Sequence, residues 1–213
     1  MRPQVLLIGD SISLGYGPYL ETALSGRAAC VRVGPGPSLV RLGDPAAENG
    51  GDSRKVVQLL RTAGEMDSHF DLAVVNCGLH DIKTDPTTGE KQVPLGHYQD
   101  NLEQIISLAG AVADRMVWVR TTPVDDQRHN SHVSEFHRHA RDVEDYNRAA
   151  DRVMAEAGVL LIDLCRFTEG LGAEVYCDHV HFTDPVRREQ AGYIASHLAP
   201  VLDGLSGQGH RAG

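Results

Sequence analysis

Val5-Leu6-Leu7-Ile8-Gly9-Asp10-Ser11-Ile12-Ser13-Leu14-Gly15 is the stretch on which the fold turns. Four consecutive aliphatic residues, too few for a helix and stopped by Gly9, read as a strand buried on both faces, as in a parallel sheet. Beyond them Tyr19, Leu20, Ala23 and Leu24 recur at helical spacing. Ser11 therefore stands on the turn from the carboxyl end of a strand into a helix. That edge is where open α/β sheets bind ligands, and a helix amino terminus favours developing negative charge. Two readings follow. Ser11 is either the N-cap of the helix, a position serine fills well, or a nucleophile displayed at the sheet edge.

Working outward, the same strand-then-helix alternation continues. Ala28–Val33 reads as a second strand, stopped by Gly34-Pro35-Gly36-Pro37, after which a Gly/Pro/Asn/Asp-rich loop runs to Ser53. Asp52 or Ser53 can cap the helix marked by Val56, Val57, Leu59 and Leu60. Asp71–Asn76, Met116–Thr121 and Val159–Asp163 are three further buried-type strands, with amphipathic helices between them (Tyr98 to Ala109, then Val143 to Val153) and a last helix over about 187–202. Alternation of this kind implies a parallel sheet covered by helices on both faces. Polar clusters follow the first strand (Asp10, Ser11) and the third (His80, Asp81), and a third (Asp178, His181) precedes the last helix, so all three can meet at one sheet edge.

Composition limits the function. The chain has 213 residues, 41% hydrophobic and 23% charged, the make-up of one globular domain with a sizeable core. A net charge of −9 opposes binding to nucleic acid or anionic membranes. No apolar run approaches membrane-spanning length, and no signal-peptide pattern precedes the first strand. Cys30, Cys77, Cys165 and Cys177 lack C-x-x-C spacing and read as reduced thiols, so the expected location is cytoplasmic.

Asp178 and His181 are three residues apart, just before Pro185. On a short turn the carboxylate can orient the imidazole, and the imidazole can activate a serine elsewhere. D-x-x-H is common in surface sequence, and gains weight here from Ser11 at a strand end. With these residues in view, the chain over about 4–203 resembles the SGNH (GDSL-type) hydrolases. Gly9-Asp10-Ser11 is similar to the first block of that family, Gly51 in Gly50-Gly51-Asp52-Ser53 to the second, Gly78-Leu79-His80-Asp81 to the third, Gly-x-Asn-Asp, and Asp178-His179-Val180-His181 to the fifth. The resemblance implies a three-layer α/β/α sandwich on a five-stranded parallel sheet of flavodoxin-like order. It also implies Ser11 as nucleophile, His181 as base and Asp178 as its orienting acid. The oxyanion hole it implies is built from Ser11, Gly51 and His80, with no cofactor. His80 departs from the pattern, because asparagine is the family's residue there; histidine can also donate a hydrogen bond, and the surrounding motifs resemble a bacterial subgroup that carries histidine.

The implied activity is hydrolysis of a small or carbohydrate-linked acyl ester, the partner being that small-molecule ester. An acyltransferase would use the same triad. A binding module that has lost catalysis is the reading from a different class, opposed by the intact Ser11, Asp178 and His181. A flavodoxin-like nucleotide binder fits poorly, since one serine-bearing turn makes a weak phosphate cradle. His129, His132, His137 and His139 cluster after the fourth strand, but their spacing does not suit a metal. Residues 124–140 read instead as a lid loop, with His129 and His132, and Asp10 beside the nucleophile, as candidate substrate-binding residues. The expected catalytic domain is 1–205, and 206–213 read as a disordered tail.

Overall fold

The computed structural model describes residues 2–66 and 68–208. The quoted stretch forms β1 (Gln4–Ile8), in which Val5 to Ile8 are at most 2% exposed. It is central in a six-stranded sheet of order β3 (Leu39–Arg41), β2 (Ala29–Val33), β1, β4 (Leu72–Val75), β5 (Met116–Val119), β6 (Leu160–Ile162). All neighbours are parallel except β3, which runs antiparallel to β2 with Val31 opposite Arg41 and Val33 opposite Leu39.

The five parallel strands thus have the expected order, and the expected count of five is corrected to six. The Gly-Pro run that reads as the start of a long loop is a hairpin turn: Gly34 N–H donates to the Ser38 carbonyl at 2.8 Å, and Gly36 takes φ +63. A three-residue edge strand is too short for alternation to reveal.

Helix α1 (Ser11–Leu24) packs against α7 (Asp184–Gln208), while α2 (Ser53–Gly64), α3 (Leu95–Val112) and α5 (Ala140–Glu156) pack in succession. Right-handed crossovers put these two groups on opposite faces of the sheet. Two short helices, α4 (Asp126–His132) and α6 (Leu164–Glu169), lie in the connections. The segment expected as a lid loop therefore contains helix, started by Asp125, whose side chain accepts from Arg128 N–H at 2.8 Å. The last helix is longer than expected at both ends. Pro185 enters its first turn, where the missing N–H costs nothing, and the buried Leu202 and partly buried Leu205 hold its later turns to the core. Residues 206–208, expected in the tail, belong to this helix; residues 209–213 lie outside the described residues.

β1 and β4 are hydrogen-bonded neighbours, and the connections that leave them run to opposite faces. This is the topological switch point of the sheet, and it sets Ser11 beside the loop that carries His80. The loop before α2 closes in from the side: Gly50 N–H donates to the Gly9 carbonyl at 2.9 Å. A Cβ on Gly50 would lie 2.8 Å from the Gly9 carbonyl atoms, so only glycine permits this approach of two backbones.

Candidate active site

At the end of β1, Asp10 is the N-cap of α1; its carboxylate accepts from Ile12 N–H at 3.0 Å. Ser11 is the first helical residue, so the capping reading belongs to Asp10 and the Ser11 side chain is left for another partner. That partner is His181, whose Nε2 is 2.8 Å from Ser11 Oγ. On its other side, His181 Nδ1 is 2.7 Å from Asp178 Oδ2. With the ring proton on Nδ1 facing the carboxylate, Nε2 is free to accept the serine proton.

The Asp178–His181 turn is folded by its own carboxylate. Asp178 Oδ1 accepts from Val180 N–H at 2.7 Å and from His181 N–H at 2.6 Å, leaving Oδ2 for the imidazole. Around it Cys177 N–H donates to the His181 carbonyl at 2.8 Å, and the rings of Tyr176 and Phe182 stack at 5.1 Å. Partial burial pushes the Asp178 carboxyl upward. The backbone donors of His181 and Val180 and the imidazole together outweigh it and hold the group well below the usual carboxylate range. Asp178 is therefore a carboxylate at neutral pH. Its side chain is 44% exposed and that of His181 32%.

The donors expected for an oxyanion differ in availability. Ser11 N–H heads a helix, where backbone donors lack intrahelical acceptors. Gly51 N–H donates to Asn49 Oδ1 at 2.9 Å, so this donor is already engaged by a residue the sequence did not single out. His80 is partly buried, and its ring makes no hydrogen bond among the described residues. Burial, with Lys83 and Arg138 nearby, pushes it down to about 4, so the ring is neutral and carries one N–H. His181 adds a smaller downward contribution.

The His80 loop is braced from several elements. The Cys77 carbonyl accepts from Thr121 Oγ1 at 2.9 Å and from Tyr98 Oη at 3.1 Å. Gly78 takes φ +141, and a Cβ there would lie 2.3 Å from Thr121 Oγ1. Asp81 is fully buried and accepts from Ser53 N–H at 3.0 Å and 3.1 Å, tying the loop to the start of α2; burial raises it to about 7.

Two of the three candidate substrate contacts are corrected by burial. Asp10 is 1% exposed and spent on its cap. His129 is fully buried, with Nδ1 at 3.1 Å from Asn130 Oδ1 and Nε2 at 2.7 Å from Arg138 Nη1, so neither ring nitrogen is left for a ligand. His132 is exposed and bonded by Nδ1 to the Arg128 carbonyl at 2.7 Å. The 124–140 segment does reach the Asp178 turn, through Arg128 Nη1 on the Asp178 carbonyl at 3.4 Å and the His129 and His179 rings at 5.1 Å. Cys30, Cys77 and Cys165 are buried free thiols, whereas Cys177, beside Asp178, is exposed. A cavity of about 590 Å³ beside Glu90, Leu95 and Tyr146 contains none of Ser11, Asp178 or His181. The triad geometry is found away from it.

A three-layer α/β/α frame brings a serine, an imidazole and a carboxylate into line at its switch point, the fold and site of a hydrolase class. The family model described as GDSL-like lipase/acylhydrolase matches residues 7–188, and the chain belongs to that family. It is an ester-cleaving hydrolase by that membership. None of the curated proteins matches the sequence. Among solved structures, the lipase/acylhydrolase from Enterococcus faecalis is similar at 16% identity and TM-score 0.69, covering 93% of this chain and 95% of that one. The acetylxylan esterase Axe2 from Geobacillus stearothermophilus is similar at 18% identity and TM-score 0.66, covering 92% and 94%. Est24, a carbohydrate acetylesterase from Sinorhizobium meliloti, is similar at 15% identity and TM-score 0.60, covering 94% and 100%. At these identities the likeness speaks to the fold. No helix among the described residues is long and apolar enough to cross a membrane.

Proposed function

We propose that the protein hydrolyses short acyl esters of carbohydrates through Ser11, His181 and Asp178. The observation that carries this is the unbroken line of two hydrogen bonds, 2.7 Å and 2.8 Å, from carboxylate through imidazole to hydroxyl. Ser11 Oγ attacks the ester carbonyl while His181 Nε2 takes its proton. Asp178 holds the imidazole in the required tautomer and stabilises the imidazolium that forms. His181 then protonates the leaving alcohol, and water repeats the sequence on the acyl-enzyme. Ser11 N–H and the His80 ring donate to the oxyanion, and Gly51 N–H joins them by exchanging its Asn49 acceptor for the substrate oxygen. Such donors are each worth about 2.7–4 kcal/mol in the transition state. Carbohydrate esters are favoured because two of the structural neighbours are named for them.

The test is a panel of para-nitrophenyl esters from acetate to palmitate, with acetylated xylo-oligosaccharides alongside, on wild type and Ser11→Ala. Wild type should prefer acetate. Ser11→Ala should lose at least about 10⁴-fold in kcat while its Tm stays within about 2 °C. Activity surviving in Ser11→Ala would remove the assignment.

A further inference from the structure

One buried side chain next to the site is used by none of these steps. Arg138 is 3% exposed, and its two hydrogen bonds go to uncharged acceptors rather than to a carboxylate. Nε donates to the Leu79 carbonyl at 2.7 Å, and Nη1 to His129 Nε2 at 2.7 Å; the guanidinium also lies 5.0 Å from the centre of the Phe136 ring. Asn130 completes the network. Its Oδ1 accepts Arg138 N–H at 2.9 Å and is 3.1 Å from His129 Nδ1, while its Nδ2 donates to the Arg138 carbonyl at 3.1 Å. These bonds set the His129 tautomer, with the proton on Nδ1, so that Nε2 can accept from the arginine. Burying a cation without a carboxylate on it is costly to the fold, and an apolar side chain would fill the same volume at less cost.

We propose that Arg138 is a positioning residue for the oxyanion end of the site, holding through the Leu79 carbonyl the peptide that carries His80. The inference rests on the esterase reading above. The Leu79 carbonyl and the His80 nitrogen share one peptide plane, so fixing that oxygen fixes the direction from which the His80 side chain departs. Each carbonyl from Cys77 to His80 has a donor: two hydroxyls at Cys77, Ile82 N–H at Gly78, Arg138 at Leu79 and Lys83 N–H at His80. Only the Leu79 bond comes from a charged group, and charge-assisted bonds are the shorter and stronger kind. Burial, with Lys83, does most to oppose protonation of His80, and Arg138 adds to it.

Steady-state kinetics on para-nitrophenyl acetate separate this role from a merely structural one. Arg138→Gln should lower kcat by about ten- to a hundredfold, the scale of a misplaced catalytic group, with KM within about threefold, because the contact matters as charge develops. Arg138→Lys keeps the charge but has one nitrogen where two acceptors must be met, and should remain at least about fivefold below wild type. In a His80→Ala background, adding Arg138→Gln should cost less than about twofold, because a residue acting through His80 has nothing left to position. Wild-type kcat in both single variants overturns the proposal, as does the full Arg138→Gln loss reappearing in the His80→Ala background. If Arg138→Gln does not fold, His129→Leu takes its place: it removes the Nη1 acceptor and leaves the Leu79 bond. A three- to tenfold fall in its kcat, about what partial loosening predicts and again absent with His80→Ala, supports the role; an unchanged kcat overturns it. Ser11→Ala is assayed in parallel. Activity retained there removes the esterase reading itself, whereas an inactive Ser11→Ala beside a fully active Arg138→Gln removes only Arg138.

Discussion

The two loops that meet at Ser11 are built in opposite ways. The turn from Asp178 to His181 is organised mainly by bonds within four residues, with Arg128 and His129 touching it from outside, and its two functional side chains are roughly a third to a half exposed. The loop from Cys77 to Asp81 is buried except for His80 and is held by Thr121, Tyr98, Arg138 and the start of α2. On the proposed mechanism, proton transfer falls to a turn held largely by its own bonds, and charge stabilisation to a loop clamped by the rest of the molecule. The chemistry rationalises the division. The carboxylate that orients the imidazole lies three residues away in the same turn, whereas an oxyanion donor must already point at empty space that the substrate will fill. Changes in the first loop should therefore alter activity alone, and changes in the second should alter activity and stability together.

The largest effect tests the exposed turn. His181→Ala should reduce kcat by at least about 10⁴-fold, with a Tm within about 2 °C of wild type, as for surface substitutions. A large Tm loss, read by differential scanning calorimetry, would mean that the turn is not self-contained.

His80 comes next. His80→Ala should cost about 10²–10³ in kcat with little change in KM. Asparagine carries its donor nitrogen on Cγ, as histidine carries Nδ1, so His80→Asn should recover much of the loss if Nδ1 is the donor and little if Nε2 is. Because burial keeps the ring near 4, the ratio of wild-type to His80→Ala kcat should be flat from pH 6 to 8. A ratio that climbs as His80 protonates within that range would contradict the neutral donor.

Gly78→Ala probes the clamp by pressing a methyl group against the Thr121 hydroxyl that holds the Cys77 carbonyl. A non-glycine residue at φ +141 with its Cβ 2.3 Å from Thr121 Oγ1 should destabilise by about 2–4 kcal/mol, and kcat should fall with it. Stability equal to wild type in urea unfolding would show that the loop is looser than its hydrogen bonds suggest.

Asp81 gives the smallest and most specific effect. Its folded pKa is raised by burial to about 7, above the ordinary carboxyl value of 3.8. The folded state therefore holds this proton more tightly than the unfolded chain. The contribution is complete below about pH 4 and is lost as pH rises through about 7. Asp81→Asn keeps an acceptor for Ser53 N–H and cannot ionise, so it should gain a few degrees of Tm on wild type between pH 5 and pH 8. A difference in Tm that is constant across that range would place the ionised carboxylate comfortably at the α2 terminus.

Much of this was legible in the chain. Val5–Ile8 and Leu72–Val75 are apolar on both faces and can only be central strands, and the strand order implied by the family resemblance puts Ser11 and His80 on adjoining strand ends. The Asp178–His181 turn was legible for the same reason that it is largely self-contained: its own bonds span three residues. β3 escaped because three residues carry no period, and α4 because its only start signal is one capping aspartate among many polar residues. Asp10 and His129 were misjudged as substrate contacts because burial is a property of what packs over a residue, not of the residue.

The sequence by itself determined the buried strands and the turns that carry Ser11 and the Asp178–His181 pair, since hydrophobic runs and short turns are local in the chain; the strand order and the roles of nucleophile, base and acid came with the family resemblance. Only the tertiary structure decided which backbone and side-chain groups pair around the site. Gly51 N–H is spent on Asn49, the Leu79 carbonyl is taken by an arginine 59 residues away, and Asp81 reaches 28 residues back to Ser53. Backbone hydrogen-bonding groups are the same at every residue, so which ones pair is settled only when distant segments are folded against each other.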